Sequence, residues 1–171
     1  MSVSIKTARE IELMREAGHL LEKVHDELAA AIRPGISTWE IDHLGEEIIR
    51  SFGCTPNFLH YNGYPASICV SVNDEVVHGI PSKKRILKEG DIVSLDAGLI
   101  YKGYHSDAAR THAVGEISRE AKQLIDVTRQ SFFEGIKYAK AGHHLHEISA
   151  AIGAYADEEM LKYGDFNTWI T

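Results

Sequence analysis

Apolar residues recur at helical spacing through the N-terminal segment, where Ile11, Met14, Ala17, Leu21, Val24, Leu28 and Ile32 mark one face of a helix predicted over Thr7 to Ile32. Thr7 and Glu10 form a capping box at its start, and Pro34-Gly35 stops it. A second helix is predicted from Ser37, whose capping partner is Glu40, through Ile41, Leu44 and Ile48 to the region of Gly53. The period then changes to two. Ser67 to Val72 and Glu75 to Ile80 flank Asn73-Asp74, a hairpin turn signal, and a second hairpin is predicted over residues 91–114. A third helix runs from a cap at Ser118 to about Ala139, Ala141-Gly142 breaks it, and a fourth covers roughly 144–163. The order helix, helix, strands, helix, helix describes an α+β chain whose antiparallel sheet is covered by helices.

The two helix pairs resemble each other. Superposing "RPGISTWEIDHL" on "KAGHHLHEISAA" places Gly35 on Gly142, Glu40 on Glu147 and Ile41 on Ile148. A repeat predicts strands after the fourth helix as after the second, and "EEMLKYGDFNTWIT" carries no such pattern. The expected organisation is one apparently truncated domain over 1–171: a first repeat at 1–114, the helices of a second at 118–163, and a divergent tail at 164–171.

Composition narrows the class. The chain has 171 residues, 44% of them hydrophobic, enough for a sizeable core. A net charge of −7 argues against general nucleic-acid binding, and the basic run Ser82-Lys83-Lys84-Arg85 reads as a solvated loop. The sequence shows neither a signal peptide nor a membrane-length apolar run, so a cytoplasmic protein without membrane contact is expected. Cys54 and Cys69 are the only cysteines and lack C-x-x-C spacing, so they read first as small buried hydrophobes.

Against that background Asp96 and Asp107, inside "VSLDAGLIYKGYHSDAART", stand out as carboxylates in a hairpin expected to be buried. A turn at Tyr101-Lys102, or a four-residue loop from Ile100 to Gly103, sets them directly opposite each other on one face, where like charges repel. Three arrangements relieve the repulsion: a shared proton, a Lys or Arg partner, or a metal ion. The flanking signature of a proton-sharing aspartic-protease pair does not occur, and the odd offset of Arg110 from Asp107 points it to the other face. A divalent metal is the remaining answer, with structural polar contacts as the other reading.

The segments "YNGYPASICVSVNDEVVHGIP" and "GDIVSLDAGLIYKGYHSDAART", together with the leading helices, resemble the bacterial-type methionine aminopeptidases of the pita-bread metallopeptidase family over about residues 3–156. The resemblance implies a pita-bread fold, represented by its first half and the first helix pair of its second. It implies that Asp96 and Asp107 are ligands of a site for two divalent ions, with Co, Mn, Fe or Zn all compatible with carboxylates. Such ions activate water for attack on the peptide carbonyl and hold the substrate's amino group. By the same resemblance, His78 is the catalytic residue that contacts substrate and helps stabilise the transition state. Phe58, Tyr61, Tyr64 and Cys69 then line the pocket for the methionine side chain, where a soft aromatic wall suits a thioether. The implied activity is metal-dependent removal of the N-terminal methionine from peptides and from nascent chains at the ribosome.

The sequence also departs from the family pattern, because the H-G-I-G segment, a later histidine and the two glutamates that complete the metal site are not found. "GHHLHE" at 142–147 is not H-E-x-x-H and reads as helix capping with solvated histidines, while Glu158, Glu159 and Asp165 read as solvated surface. Weak or partial metal occupancy is therefore expected, along with a homodimer covering the absent half. Two other functions fit the same residues: a non-catalytic peptide- or protein-binding half-domain, and a prolidase-like X-Pro peptidase.

Overall fold

The structure is a computed structural model that describes residues 4–163. The tail expected at 164–171, with Asp165, lies outside the described residues. The chain divides into two compact units, Met1–Ile117 and Ser118–Thr171.

In the first unit, α1 (Ala8–Ala31) and α2 (Thr38–Ser51) begin at Thr7 and Ser37, each closed by the expected reciprocal capping box with Glu10 and Glu40. Four strands follow: β1 (Thr55–Pro56), β2 (Ile68–Val72), β3 (Ile92–Tyr101) and β4 (Tyr104–Ala113). All pairings are antiparallel. β4 pairs along the whole of β3, while β2 and the two-residue β1 pair with separate stretches of β3.

Side-chain alternation gives this sheet one helix-covered face. Ile68, Val70 and Val72 of β2 and Val93, Leu95, Ala97 and Leu99 of β3 are buried there with Ala17, Leu21, Val24 and Leu28 of α1 and Ile41, Ile48 and Ile49 of α2. The predicted α1 stripe is buried only from Ala17 onward; Ile11 and Met14, in the first turns, are 47% and 42% exposed.

Two local expectations need correction. The arm at Glu75 to Ile80 is not a strand: after Val72 the chain turns at Asn73-Asp74, where Glu75 N–H donates to the Val72 carbonyl at 3.3 Å, and beyond that turn it makes one backbone bond to β2, from Val70 N–H to the Gly79 carbonyl at 3.0 Å. The Gly79 N–H goes instead to the Ser71 hydroxyl at 3.1 Å, so the alternating pattern of this arm never meets a second rung. The turn between β3 and β4 is Lys102-Gly103, with φ of 48° and 86°, and Tyr101 pairs with Tyr104. Positive φ at both central residues is the type I′ geometry that matches strand twist. The register therefore sits two residues from the expected one: Asp107 faces Gly98, and Asp96 faces Ala109.

In the second unit, α3 (Arg119–Ile136) starts at the predicted Ser118 cap, whose hydroxyl accepts the Ala121 N–H, and it packs on α4 (Leu145–Tyr163). The His143–Glu147 contact at 3.3 Å and the Glu147 carboxylate accepting the His144 N–H close the start of α4, which is the expected capping role of "GHHLHE". Glu158 and Glu159 pair with Lys162 on the surface of α4.

Candidate metal and substrate site

The face of the sheet turned away from α1 and α2 carries the chemistry. Pairing places Cys69 across from Asp96, Ser71 across from Ser94, Gly98 across from Asp107, and Ser94 across from Thr111. Asp96 and Asp107 are thus on one face, as parity requires, but diagonal rather than directly opposed. Diagonal neighbours on an antiparallel pair lie about 7–8 Å apart at the backbone, against about 4.5–5.5 Å for direct partners.

The two carboxylates differ in exposure. Asp107 is exposed, whereas Asp96 is half-buried and its Oδ1 is buried with no hydrogen-bond partner. Burial raises the pKa of both above the usual carboxylate range, and for Asp96 the charge of Asp107 raises it further while His78 opposes the rise. Arg110, two pairs along from Asp107's neighbours on the helix side, is bound to Asp26 of α1 at 3.0 Å. Among the described residues no Lys or Arg forms an ion pair with Asp96 or Asp107. A buried, unpartnered carboxylate oxygen beside a second carboxylate is a donor set that fits a hard or borderline divalent cation.

Cys69 is buried, and burial pushes its thiol pKa up, with the nearby Tyr64 hydroxyl opposing. The Tyr64 hydroxyl, itself raised by burial, lies 3.0 Å from the Gly79 carbonyl and 3.3 Å from that of Ile68. His78 adopts a left-handed conformation, φ 58°, on the segment leading to Gly79. Phe58 is packed over Gly98: a Cβ on that glycine would stand 3.0 Å from the Phe58 ring and 2.9 Å from Asn57 Cβ. Gly98 thus leaves room for an aromatic residue against the strand that bears Asp96. The structure therefore gathers Asp96, Asp107, Cys69, Tyr64, His78 and Phe58 around one sheet face. Tyr61 lies in the 3-10 turn Tyr61–Gly63 and is 68% exposed.

Several residues at the site were invisible in the sequence. Asp42 of α2 accepts the backbone N–H groups of Ser67 and Ile68, each at 2.8 Å, which anchors the start of β2; Glu46 accepts the Ser67 hydroxyl at 2.9 Å. Asn57 accepts a hydrogen bond from His105 Nδ1 at 2.7 Å, and its own N–H bonds the Gly98 carbonyl at 2.9 Å. Ser94 and Thr111 share a hydroxyl bond of 2.8 Å. These are long-range contacts between residue types that are ordinary in loops and helices, and no local spacing announces them.

The sequence profile of metallopeptidase family M24 matches residues 12–168, and the chain belongs to this family. It is 49% identical over 162 residues to a methionine aminopeptidase of Clostridium acetobutylicum, covering 95% of this chain and 64% of that protein. To methionine aminopeptidase 1 of Bacillus subtilis it is 49% identical over 157 residues, covering 92% and 63%. The crystal structure of methionine aminopeptidase from Rickettsia prowazekii superposes with a TM-score of 0.89 at 36% identity, covering 92% of this chain and 63% of that one. The fold is the pita-bread one, and the chain spans less than two thirds of the length of these relatives.

Proposed function

We propose that the chain carries the first half of a methionine aminopeptidase site, acting in metal-dependent removal of N-terminal methionine from peptides and nascent chains. The observation that carries this reading is the buried, unpartnered Asp96 Oδ1 on the same sheet face as Asp107, beside His78 and the Tyr64–Cys69 wall.

Asp96 and Asp107 would hold divalent ions, Co, Mn, Fe or Zn, which when bound supply Lewis acidity to activate water and polarise the scissile carbonyl. The chain's own residues supply position and selectivity. Tyr64, Cys69 and Phe58, with Tyr61 at the rim, offer a compact apolar wall to the methionine thioether. His78 stands close enough to Asp96 to bear on its charge, which supports a role in contacting substrate next to the ligands. Two free, buried cysteines fit a reducing, cytoplasmic setting.

The domain organisation is read as a first repeat at 1–114 and the helices of a second at 118–163. No second strand pairs with the outer edge of β4 among the described residues, which supports a homodimer in which a second copy covers that edge. Sedimentation as a folded monomer would remove the homodimer from this reading.

A non-catalytic peptide- or protein-binding role and an X-Pro peptidase are the other readings, and both are less supported, because both relatives above are named methionine aminopeptidase. The test is release of methionine from a Met-Ala-Ser peptide with added Mn²⁺ or Co²⁺, beside an Asp107→Asn control. Release that the control loses supports the enzyme. No release from either chain, with peptide still bound, supports the binding role.

A further inference from the structure

The segment that bears His78 has almost no apolar anchor. Val76, Val77 and Ile80 are 88%, 64% and 64% exposed, so side-chain packing does not hold the turn in place. Its attachment to the sheet runs through Gly79. A Cβ there would come within 2.3 Å of the Val70 carbonyl oxygen, so the two backbones are in direct contact. Three hydrogen bonds fix that contact: Val70 N–H to the Gly79 carbonyl at 3.0 Å, the Tyr64 hydroxyl to the same carbonyl at 3.0 Å, and Gly79 N–H to the Ser71 hydroxyl at 3.1 Å.

Two of the three bonds come from side chains, and those side chains belong to the site. Tyr64 stands in the pocket wall and Ser71 lies on the same sheet face as Cys69 and Asp96. Ile68, whose carbonyl is the second acceptor near the Tyr64 hydroxyl, has its own N–H bound to Asp42. The single Tyr64 hydroxyl proton is shared between the nearer Gly79 carbonyl and the Ile68 carbonyl, so Tyr64 joins β2, anchored to α2 by Asp42, to the residue next to His78. His78 itself sits at φ 58°, in the left-handed region that is uncommon for residues other than glycine but that histidine enters more readily than most.

We infer that Tyr64 is a positioning residue for His78: its hydroxyl, with that of Ser71, ties the pocket wall to the left-handed turn that presents the imidazole beside Asp96. The ring of Tyr64 contacts the methionine side chain while its hydroxyl sets the histidine, so one residue links recognition to the reacting end of the site. This rests on the proposed methionine aminopeptidase reading for its functional meaning, while the tie itself is a property of the chain that can be measured without turnover.

The experiment uses the full chain, ¹⁵N-labelled and histidine-ring-labelled, as wild type, Tyr64→Phe, Ser71→Ala and Ser71→Thr. Phe retains the aromatic wall and removes only the hydroxyl; Thr retains the hydroxyl that Ala removes. Tyr64→Phe and Ser71→Ala are expected to speed Gly79 amide exchange at least tenfold and to shift the His78 ring-proton resonances, with Leu95 and Val93 amides unchanged. Ser71→Thr is expected to restore both signals. His78 resonances and Gly79 exchange that match wild type in Tyr64→Phe would overturn the inference.

Where wild type releases methionine, Tyr64→Phe is expected to lower kcat at least tenfold with KM within twofold, and an unchanged kcat would equally overturn it. Wild type that releases none counts against the proposed function alone, and the NMR signals still decide whether Tyr64 sets His78.

Discussion

Asp107 pairs with Gly98, not with Asp96, and this two-residue offset converts two facing carboxylates into a diagonal pair on one sheet face. Direct opposition would press the charges together across a non-polar ladder. The diagonal separates the two charges, and Gly98, across from Asp107, has Phe58 and Asn57 packed where a side chain would stand. The arrangement is costly to a metal-free fold and suited to a cation.

Replacing either carboxylate should therefore separate metal binding from folding. Asp96→Asn and Asp107→Asn are each expected to weaken Mn²⁺ binding at least tenfold by calorimetry. Mn²⁺ should raise the Tm of wild type and leave that of both variants nearly fixed, because a ligand stabilises only the state that binds it. Equal Mn²⁺ affinity in all three chains would remove these residues from the metal site.

Gly79→Ala tests the backbone contact on which the His78 turn depends. With the Val70 carbonyl 2.3 Å from the new Cβ and no flexible side chain to yield, the segment must leave β2. The expected cost is about 1–3 kcal/mol in denaturant unfolding, with loss of Val70 amide protection. A chain as stable as wild type with that amide still protected would show that the contact is looser than described.

Asp42 offers a comparison between a charge and an acceptor. Its Oδ1 takes two backbone N–H groups from β2, and burial raises its pKa. Asp42→Ala leaves both donors unpaired and should cost about 2–6 kcal/mol by urea unfolding, since each stranded buried donor costs about 1–3 kcal/mol. Asp42→Asn preserves the acceptor oxygen and should cost less than half as much. Similar losses in the two variants would assign the effect to charge instead of hydrogen bonding.

The helices were legible because their signals are local. Thr7 with Glu10 and Ser37 with Glu40 close capping boxes within four residues, and the stripe of α1 from Ala17 onward and that of α2 point at the sheet the residues that periodicity assigns to it. Parity also sufficed to put Asp96 and Asp107 on one face. Register did not follow, because the turn uses Lys102 at φ 48° where Asn-Gly would have advertised a type I′ turn. The arm at 75–80 has strand-like alternation, but its bonding depends on the Ser71 hydroxyl and on Gly79, which only the folded chain brings together. At the site, Asp96 and Asp107 stand out in the sequence as carboxylates in a hairpin expected to be buried, whereas His78 is singled out by family likeness alone. Asp42, Asn57 and Ser71 act through backbone groups far along the chain, where no spacing rule reaches.

His25 supplies the pH dependence. It is fully buried in α1 between the apolar positions Val24 and Leu28, with Nε2–H donating to the Ala108 carbonyl at 2.9 Å and Nδ1 without a partner. Burial lowers its pKa below 6.5, and the positive charges of Arg110 and, when protonated, His112 lower it further; the Ala108 bond and Asp26 oppose. His112, itself buried enough to be lowered and facing Arg110, acts in the same direction. In the unfolded chain both imidazoles take up a proton near pH 6.5, while the folded chain resists until lower pH. The unfolded state then binds more protons, so stability is fully present above about pH 6.5 and falls as pH drops toward the folded values. Each unit of depression corresponds to about 1.4 kcal/mol. His25→Gln is expected to flatten the stability profile between pH 6.5 and pH 5 measured by urea unfolding, leaving the slope from His112. A profile as steep as wild type would place the acid sensitivity elsewhere in the fold.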